Sequence, residues 1–401
     1  MPHALADRKP VWSPRPGYRS AAVVLAVGMA GATLPTPLYG LYGRKFGFAA
    51  LTTTFVFATY AVGVIATLLL AGSHSDRAGR RPVLWCGLLL SAASAVCFAR
   101  ADGLTLLYAG RLLSGCSVGL LTGAGTVAVL ELAAPADRSR AAFAATAANM
   151  AGLGCGPLLS GFLAQYAPAP LVLPFLAHLV LLGGAAVAVL LLPETAVGAR
   201  PRAGLRPRGL YLPPQTRGMF LPVALAAFAG FSLQGLFTAT APALLSELGE
   251  RNLAFGGLVV FAVFFGSTAG QACAGTRTSG RALAAGCLVL LAGTALVGVS
   301  LYAGSVYLLV LGGVCGGCGQ GMAFRAGVAA VSAEAPAAHR AATLSFFFTI
   351  AYAGMTLPVI GVGALSVPMG LKDAGLVFTG CVGVVAAATA ARLLLPSAKS
   401  S

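Results

Sequence analysis

The chain has 401 residues, 58% of them hydrophobic and only 9% charged. A soluble domain is nearer half apolar and a quarter charged, so this composition excludes a soluble enzyme or nucleic-acid-binding domain and indicates an integral membrane protein. The net charge of +16 would suggest nucleic acid in a soluble chain, but here the arginines sit between apolar runs and read as topology.

Residues 1–19 carry Arg8, Lys9, Arg15 and Arg19 with several prolines, and are predicted as a cytoplasmic N-terminal tail. The apolar run that follows, 20–42, has no small-residue cleavage pattern and is too long for a signal-peptide core; it predicts a retained first helix. Each bilayer crossing needs ~20 apolar residues. Further runs at 50–71, 82–100, 104–131, 141–165 and 169–192 complete a first set of six. The stretch 193–218, rich in Pro, Gly and Arg, predicts a cytoplasmic linker. Six more runs follow at 219–245, 253–275, 282–302, 305–331, 341–366 and 373–395, with 396–401 as a C-terminal tail. The expected fold is all-α, with twelve transmembrane helices in two six-helix bundles, 20–192 and 219–395. Nineteen Lys and Arg fall on the side of the tails, against five (Arg44, Lys45, Arg100, Arg251 and Lys372) on the other. That bias predicts cytoplasmic termini. The Ala, Gly, Arg and Pro content points to a GC-rich bacterial genome, hence a bacterial plasma membrane.

The two halves carry a repeat. Residues 115–138 lie without gaps on 317–340 at an offset of 202, with ten of 24 positions identical, among them Gly115/Gly317, Cys116/Cys318, Gly119/Gly321, Gly125/Gly327 and Arg138/Arg340. Gly152 and Gly161 fall on Gly354 and Gly363 at the same offset. The matched segments are the fourth and tenth helices in the same orientation, so the bundles are parallel repeats, with a site expected at the midplane between them. All nine cysteines lie in apolar runs, where Cys packs as a small hydrophobe. Cys315-Gly-Gly-Cys318 has metal-like spacing but no further ligand nearby, and no metal is expected.

The stretch "GSHSDRAGRRPVLWCG", 72–87, concentrates charge between the second and third helices. Gly72 and Gly79 permit a tight turn. Asp76 can serve the amide donors of a neighbouring helix start, and Arg80 can reach Glu131. A loop that only sets topology explains the arginines but not Asp76 or the glycine spacing. Gly72, Asp76, Arg77, Gly79, Arg80, Arg81 and Leu84 resemble the signature loop of the major facilitator superfamily, G-x-L-a-D-r-x-G-r-k-x-x-l, with His74 replacing the usual aliphatic residue. The resemblance implies a breakable cytoplasmic latch between the halves, with the start of the eleventh helix near Arg340 as the neighbour. The second half keeps only "GTRTSGR", 275–281, so the latch is expected to be asymmetric.

Arg111 lies within the fourth helix and is similar to the family's second signature, an arginine followed by a glycine-spaced helix; proton coupling is expected through Glu131 with Arg111 on the same helix, or by protonation in the vestibule. A buried arginine must face the bundle or a wet cavity; the alternative is snorkelling to the surface. "GLGCGPLLSG", 152–161, resembles the third signature through Gly152, Gly156, Pro157 and Gly161, with Ser160 replacing a glycine. In the family this element marks antiporters, including drug exporters. Pro157 cannot donate to the Leu153 carbonyl, which predicts a bend.

Pro35 and Pro37 break the first helix beside Thr33, Thr36 and Tyr39. With Asn149, Gln234, Thr238, Gln320, Arg325 and Tyr352, these residues are predicted to form a mostly apolar cavity with sparse polar groups, suited to an amphipathic molecule. No Asp, Glu or His is clearly at the midplane; His178 lies within the sixth helix. The expected function is a secondary active transporter that works as a monomer by alternating access and exports small amphipathic or cationic compounds against protons, with no cofactor. An anionic or polar metabolite carried by uniport or another coupling, and a non-transporting sensor of the same fold, are the alternatives. No HExxH, GxSxG or phosphate-loop pattern indicates an enzyme.

Overall fold

The computed structural model describes residues 17–71, 79–195, 212, 214–275, 280–336 and 339–395, and every regular element among them is helical. In hydrocarbon, backbone groups have no water to bond, and a helix pairs them within one segment. The predicted tails and linker fall largely outside the described residues.

Helix α1 (Tyr18–Thr33) stops before Pro35, passes through a 3-10 turn at Thr36–Leu38 and restarts as α2 (Tyr39–Phe46), the two making one crossing. Then come α3 (Ala50–Ala71), α4 (Arg80–Ala99), α5 (Leu104–Glu131), α6 (Arg138–Tyr166) and α7 (Leu173–Leu191). The second set is α8 (Arg217–Glu247), α9 (Leu253–Ala274), α10 (Gly280–Ala303), α11 (Val306–Glu334) and α12 (Arg340–Leu394). With 55 residues, α12 would run about 82 Å as a straight helix, far beyond the ~30 Å hydrocarbon core. Gly370 interrupts it at φ 84° and ψ 163°, a left-handed φ that favours glycine, so the limbs 340–369 and 371–394 are separate crossings. The eleven apolar helical stretches among the described residues therefore make twelve crossings. The first starts at Tyr18 and the last ends at Leu394; we call their shared side the tail face.

The repeat is visible in the packing. A side chain on Gly152 of α6 would collide with the Ala26 carbonyl of α1, and one on Gly354 of α12 with the Phe228 carbonyl of α8. Ala26 and Phe228 are themselves 202 positions apart. Likewise Gly115 sits against the Tyr60 carbonyl of α3, and Gly317 against the Val263 carbonyl of α9. The same symmetry governs the contacts between the two sets of helices. Gly161 of α6 abuts the Leu253 carbonyl of α9, while Gly363 of α12 abuts Thr54 of α3. Small residues let backbones approach this closely where no hydrophobic drive distinguishes helix from lipid.

Gly152→Leu should therefore destabilise the fold by about 1–3 kcal/mol or more. Gly183→Leu, at an exposed site with nothing within 4 Å of a new Cβ, should be close to neutral. Thermal unfolding of the two purified variants checks the contrast; equal melting temperatures would remove the close-packing account.

Candidate functional site

The broken first crossing is braced by side chains from its neighbours. The last carbonyls of a helix lack intrahelical donors, and the Ala32 carbonyl at the end of α1 accepts from Nη1 of Arg111. Pro157 has no N–H to offer the Leu153 carbonyl, and the Thr33 hydroxyl donates to that oxygen at 2.5 Å. Arg111 is fully buried, so it does not snorkel. Its guanidinium carbon lies 5.1, 5.9 and 5.6 Å from the ring centroids of Tyr39, Phe57 and Phe98, within cation–π range. Glu131, predicted to act with it, is 20 positions further along α5, about 30 Å away. The fold does not bring the two together.

Glu131 instead belongs to a cluster at the tail face. Arg80 pairs with it through Nη2–Oε1 at 3.0 Å and Nε–Oε2 at 3.2 Å, and the Thr195 hydroxyl donates to the same carboxylate. Glu194 accepts the backbone N–H groups of Arg80 at 2.8 Å and Arg81 at 3.1 Å. It thereby caps the positive end of α4. Gly79 enters that helix at φ 99°, with the Glu194 carboxylate 2.8 Å from where a Cβ would stand. Arg81 donates to the Leu190 carbonyl at 2.8 Å. These bonds join α4, α5 and the end of α7, all in the first half. Gly72, Asp76 and Arg77, predicted to complete the latch, lie outside the described residues. The sequence reading missed Glu194; its signal was an acid directly after the sixth apolar run.

Between the halves lies a cavity of about 160 Å³. Of the predicted polar set, Asn149, Gln234 and Tyr352 line it. The others are placed elsewhere. Thr33 serves Leu153, and Thr36 is buried in the break. Tyr39 lines a separate crevice of about 960 Å³ near the opposite face, together with Arg44 and Arg251. Thr238 bonds to the Gln234 carbonyl of its own helix at 2.7 Å. Gln320 lies behind Gln234, and Arg325 is tied to the Gln271 carbonyl at 3.1 Å. Four of these six are bonded to a backbone or polar group within reach, as polar side chains in a bilayer tend to be, while the Thr36 and Tyr39 hydroxyls are buried at the break without a hydrogen-bond partner among the described residues.

The cavity wall is aromatic in a way the sequence reading did not foresee. Tyr60, Phe231, Phe264, Phe324, Phe348 and Tyr352 face it. Tyr60 and Tyr352, from opposite halves, stand edge to face at 6.4 Å, and Phe231 meets Tyr352 at 5.8 Å. Gln271, Thr122, Thr126 and Thr146 add polar atoms. Among the described residues the lining has no Asp, Glu, His, Lys or Arg. In α6, Gly152 and Gly156 pack on the Ala26 and Ala30 carbonyls of α1, while the Pro157 carbonyl and Gly161 meet Gly257 and Leu253 of α9. The glycine–proline stripe thus sits between its own half and the other. His178 is buried inside the first half with Nε2 3.2 Å from the Ser91 hydroxyl.

The family model of the Major Facilitator Superfamily matches residues 21–355. Multidrug resistance protein 2 of Bacillus subtilis (strain 168) is 27% identical over 140 residues, 35% of each chain. The class B tetracycline resistance protein of Escherichia coli is 36% identical over 115 residues, 28% of this chain and 27% of its own. The chain thus matches about a third or less of the length of these curated relatives. The crystal structure of the human organic anion transporter MFSD10 (TETRAN) superposes at a TM-score of 0.65 with 17% identity, covering 94% of this chain and all of that one. At that identity the likeness is one of fold.

Thr33→Val should leave the Leu153 carbonyl without a donor and cost about 1–3 kcal/mol, whereas Thr33→Ser keeps the hydroxyl. The melting temperature of the Val variant is expected to fall clearly below that of the Ser variant; a Ser variant that falls equally far would mean that the methyl, not the hydrogen bond, holds the break.

Proposed function

The chain belongs to the Major Facilitator Superfamily, a family of membrane transporters rather than enzymes, and from that membership we propose that it exports small amphipathic, aromatic or cationic compounds in exchange for protons. The observation that carries this reading is the cavity between the halves, lined among the described residues by six aromatic rings and no fixed charge. Ring faces attract flat apolar groups and soft cations. An anion would find no positive side chain in the lining, since Arg111 and Arg325 are both turned to backbone carbonyls. The efflux proteins among the relatives support the same reading through their names.

Alternating access follows from two halves that meet through repeat-related contacts around one cavity. We assign the tail face to the cytoplasm of a bacterial plasma membrane, on the excess of Lys and Arg in the loops of that face. There the cluster of Arg80, Glu131, Glu194 and Thr195 forms the inner part of a gate on this reading, to which the sequence motif adds Asp76. Glu131 is the coupling carboxylate on this reading, acting through Arg80 rather than Arg111. Protonation removes the charge that holds the guanidinium and so loosens the cluster.

Protein reconstituted in liposomes with a trapped pH-sensitive dye tests the proposal. Lipophilic aromatic cations should discharge an imposed proton gradient, and organic anions should not. Glu131→Gln should uncouple proton movement from substrate movement, and Asp76→Asn should cut transport with normal membrane insertion. Substrate exchange without proton movement would overturn antiport, and flux of anions alone would overturn the substrate class.

A further inference from the structure

The cavity wall contributed by the second half is built on a buried amide network. Gln234 of α8 donates from Nε2 to Oε1 of Gln320 in α11 at 3.0 Å. The Ser267 hydroxyl of α9 donates to the same oxygen at 2.7 Å. With its proton committed there, Ser267 offers only lone pairs to a further partner. Gln271, one turn along α9, directs its Nε2 toward that hydroxyl at a longer 3.5 Å. Gln234, Gln271 and Gln320 are each no more than 2% exposed, and Ser267 is fully buried. Gln234 and Gln271 nevertheless both line the cavity. Each amide nitrogen gives one of its two N–H groups to the network behind the wall, and among the described residues the two carbonyl oxygens accept no hydrogen bond, which leaves them as acceptors for a donor in front of it.

We propose that Gln234 and Gln271, held in orientation by Ser267 and Gln320, form a hydrogen-bond-acceptor wall that selects substrates donating N–H groups, aromatic amines and ammonium cations above all. This rests on the reading of the cavity as the substrate site and names the chemistry it recognises. Carbonyl dipoles and ring faces both present negative charge density to the cavity. A protonated amine gains from both at once, and its hydrogen bonds are the charge-assisted kind. A carboxylate is repelled by the two carbonyls and the ring faces, and meets only neutral donors such as the Thr122, Thr126 and Thr146 hydroxyls and the Asn149 amide. A methylated analogue keeps the ring contacts but leaves the two oxygens without partners, and an unmet buried polar group is costly. Ser267 and Gln320 are positioning residues, since they touch the wall rather than the cargo.

Proflavine and acridine orange separate these effects. Both are planar acridine monocations, and the second differs by methyl groups in place of all four exocyclic N–H hydrogens. Binding is read by fluorescence polarisation on the full-length protein in lipid nanodiscs, with empty discs subtracted. Proflavine is expected to bind at least about tenfold tighter than the more apolar acridine orange. Gln234→Leu and Gln271→Leu should each move that ratio toward one. Ser267→Ala should also reduce it while leaving acridine orange affinity within about twofold, a selective effect that general loosening of the bundle would not produce. Equal affinity for both dyes in the wild-type protein overturns the acceptor wall and leaves the aromatic site standing. Tighter binding of acridine orange, or a proflavine preference that survives both leucine variants, overturns it as well. Failure of both dyes to bind overturns the aromatic-cation reading of the cavity and this inference with it.

Discussion

A carbonyl without a donor has no water to turn to inside a bilayer, and an unmet one costs several kcal/mol. Two such carbonyls shape the first half of this protein. Thr33 meets the one that Pro157 abandons at Leu153, and Arg111 meets Ala32 at the end of α1. The two bonds tie the first crossing to the fourth and fifth, at the level where the first is broken by Pro35 and Pro37. The helix breaks are thus fixed points rather than loose ones. Arg111 bears the larger cost, as a buried cation whose compensation is one backbone oxygen and three aromatic rings.

The same stripe of α6 that receives α1 also faces α9, so the braced region lies directly against the second half. Its counterpart is the contact of α12 with α3, related to it by the internal repeat. The first relies on bare backbone and the second on Gly363 against the Thr54 side chain, with glycines at positions where even a methyl group would not fit. Contacts of this kind are short-ranged and flat, and surfaces without interlocking side chains can roll on one another. The tail-face cluster has the opposite character. It is made of directional charged bonds that either hold or break.

Much of this was legible in the chain. Twelve crossings follow from hydropathy, and the residue that splits the last two, Gly370, lies in the predicted gap between 366 and 373. The offset of 202 predicted which glycines would be equivalent, and Gly152 and Gly354 meet carbonyls at that same separation. The pairing of Arg80 with Glu131 was also readable, because each was the nearest opposite charge at one end of the bundle. The cavity was far less so. Sequence reasoning favoured polar residues as its lining, and of the nine, four turned to nearby backbone or buried neighbours and two stayed at the break in the first crossing. The aromatic residues that do line it, such as Phe264 and Phe324, sit in apolar runs where nothing local tells a cavity-facing ring from a lipid-facing one. Helical rotation decides between those fates, and rotation is set by packing across the whole bundle.

The lining without fixed charge has an electrical meaning. A carrier whose site bears a carboxylate shifts that charge within the membrane field each time the empty site changes sides. Here the empty lining, among the described residues, has none to shift. The membrane potential, worth ~2.3 kcal/mol per charge per 100 mV, then does no work on the empty cavity. On the proposed exchange the electrical term falls on the cargo and the proton alone. One monocation leaving against one proton entering cancels, so voltage neither helps nor hinders its export, and only the pH difference drives it. A neutral compound leaving against the same proton draws on voltage and pH together. The charge state of the cargo, rather than any residue of the cavity, would set how strongly a cell's voltage drives its expulsion.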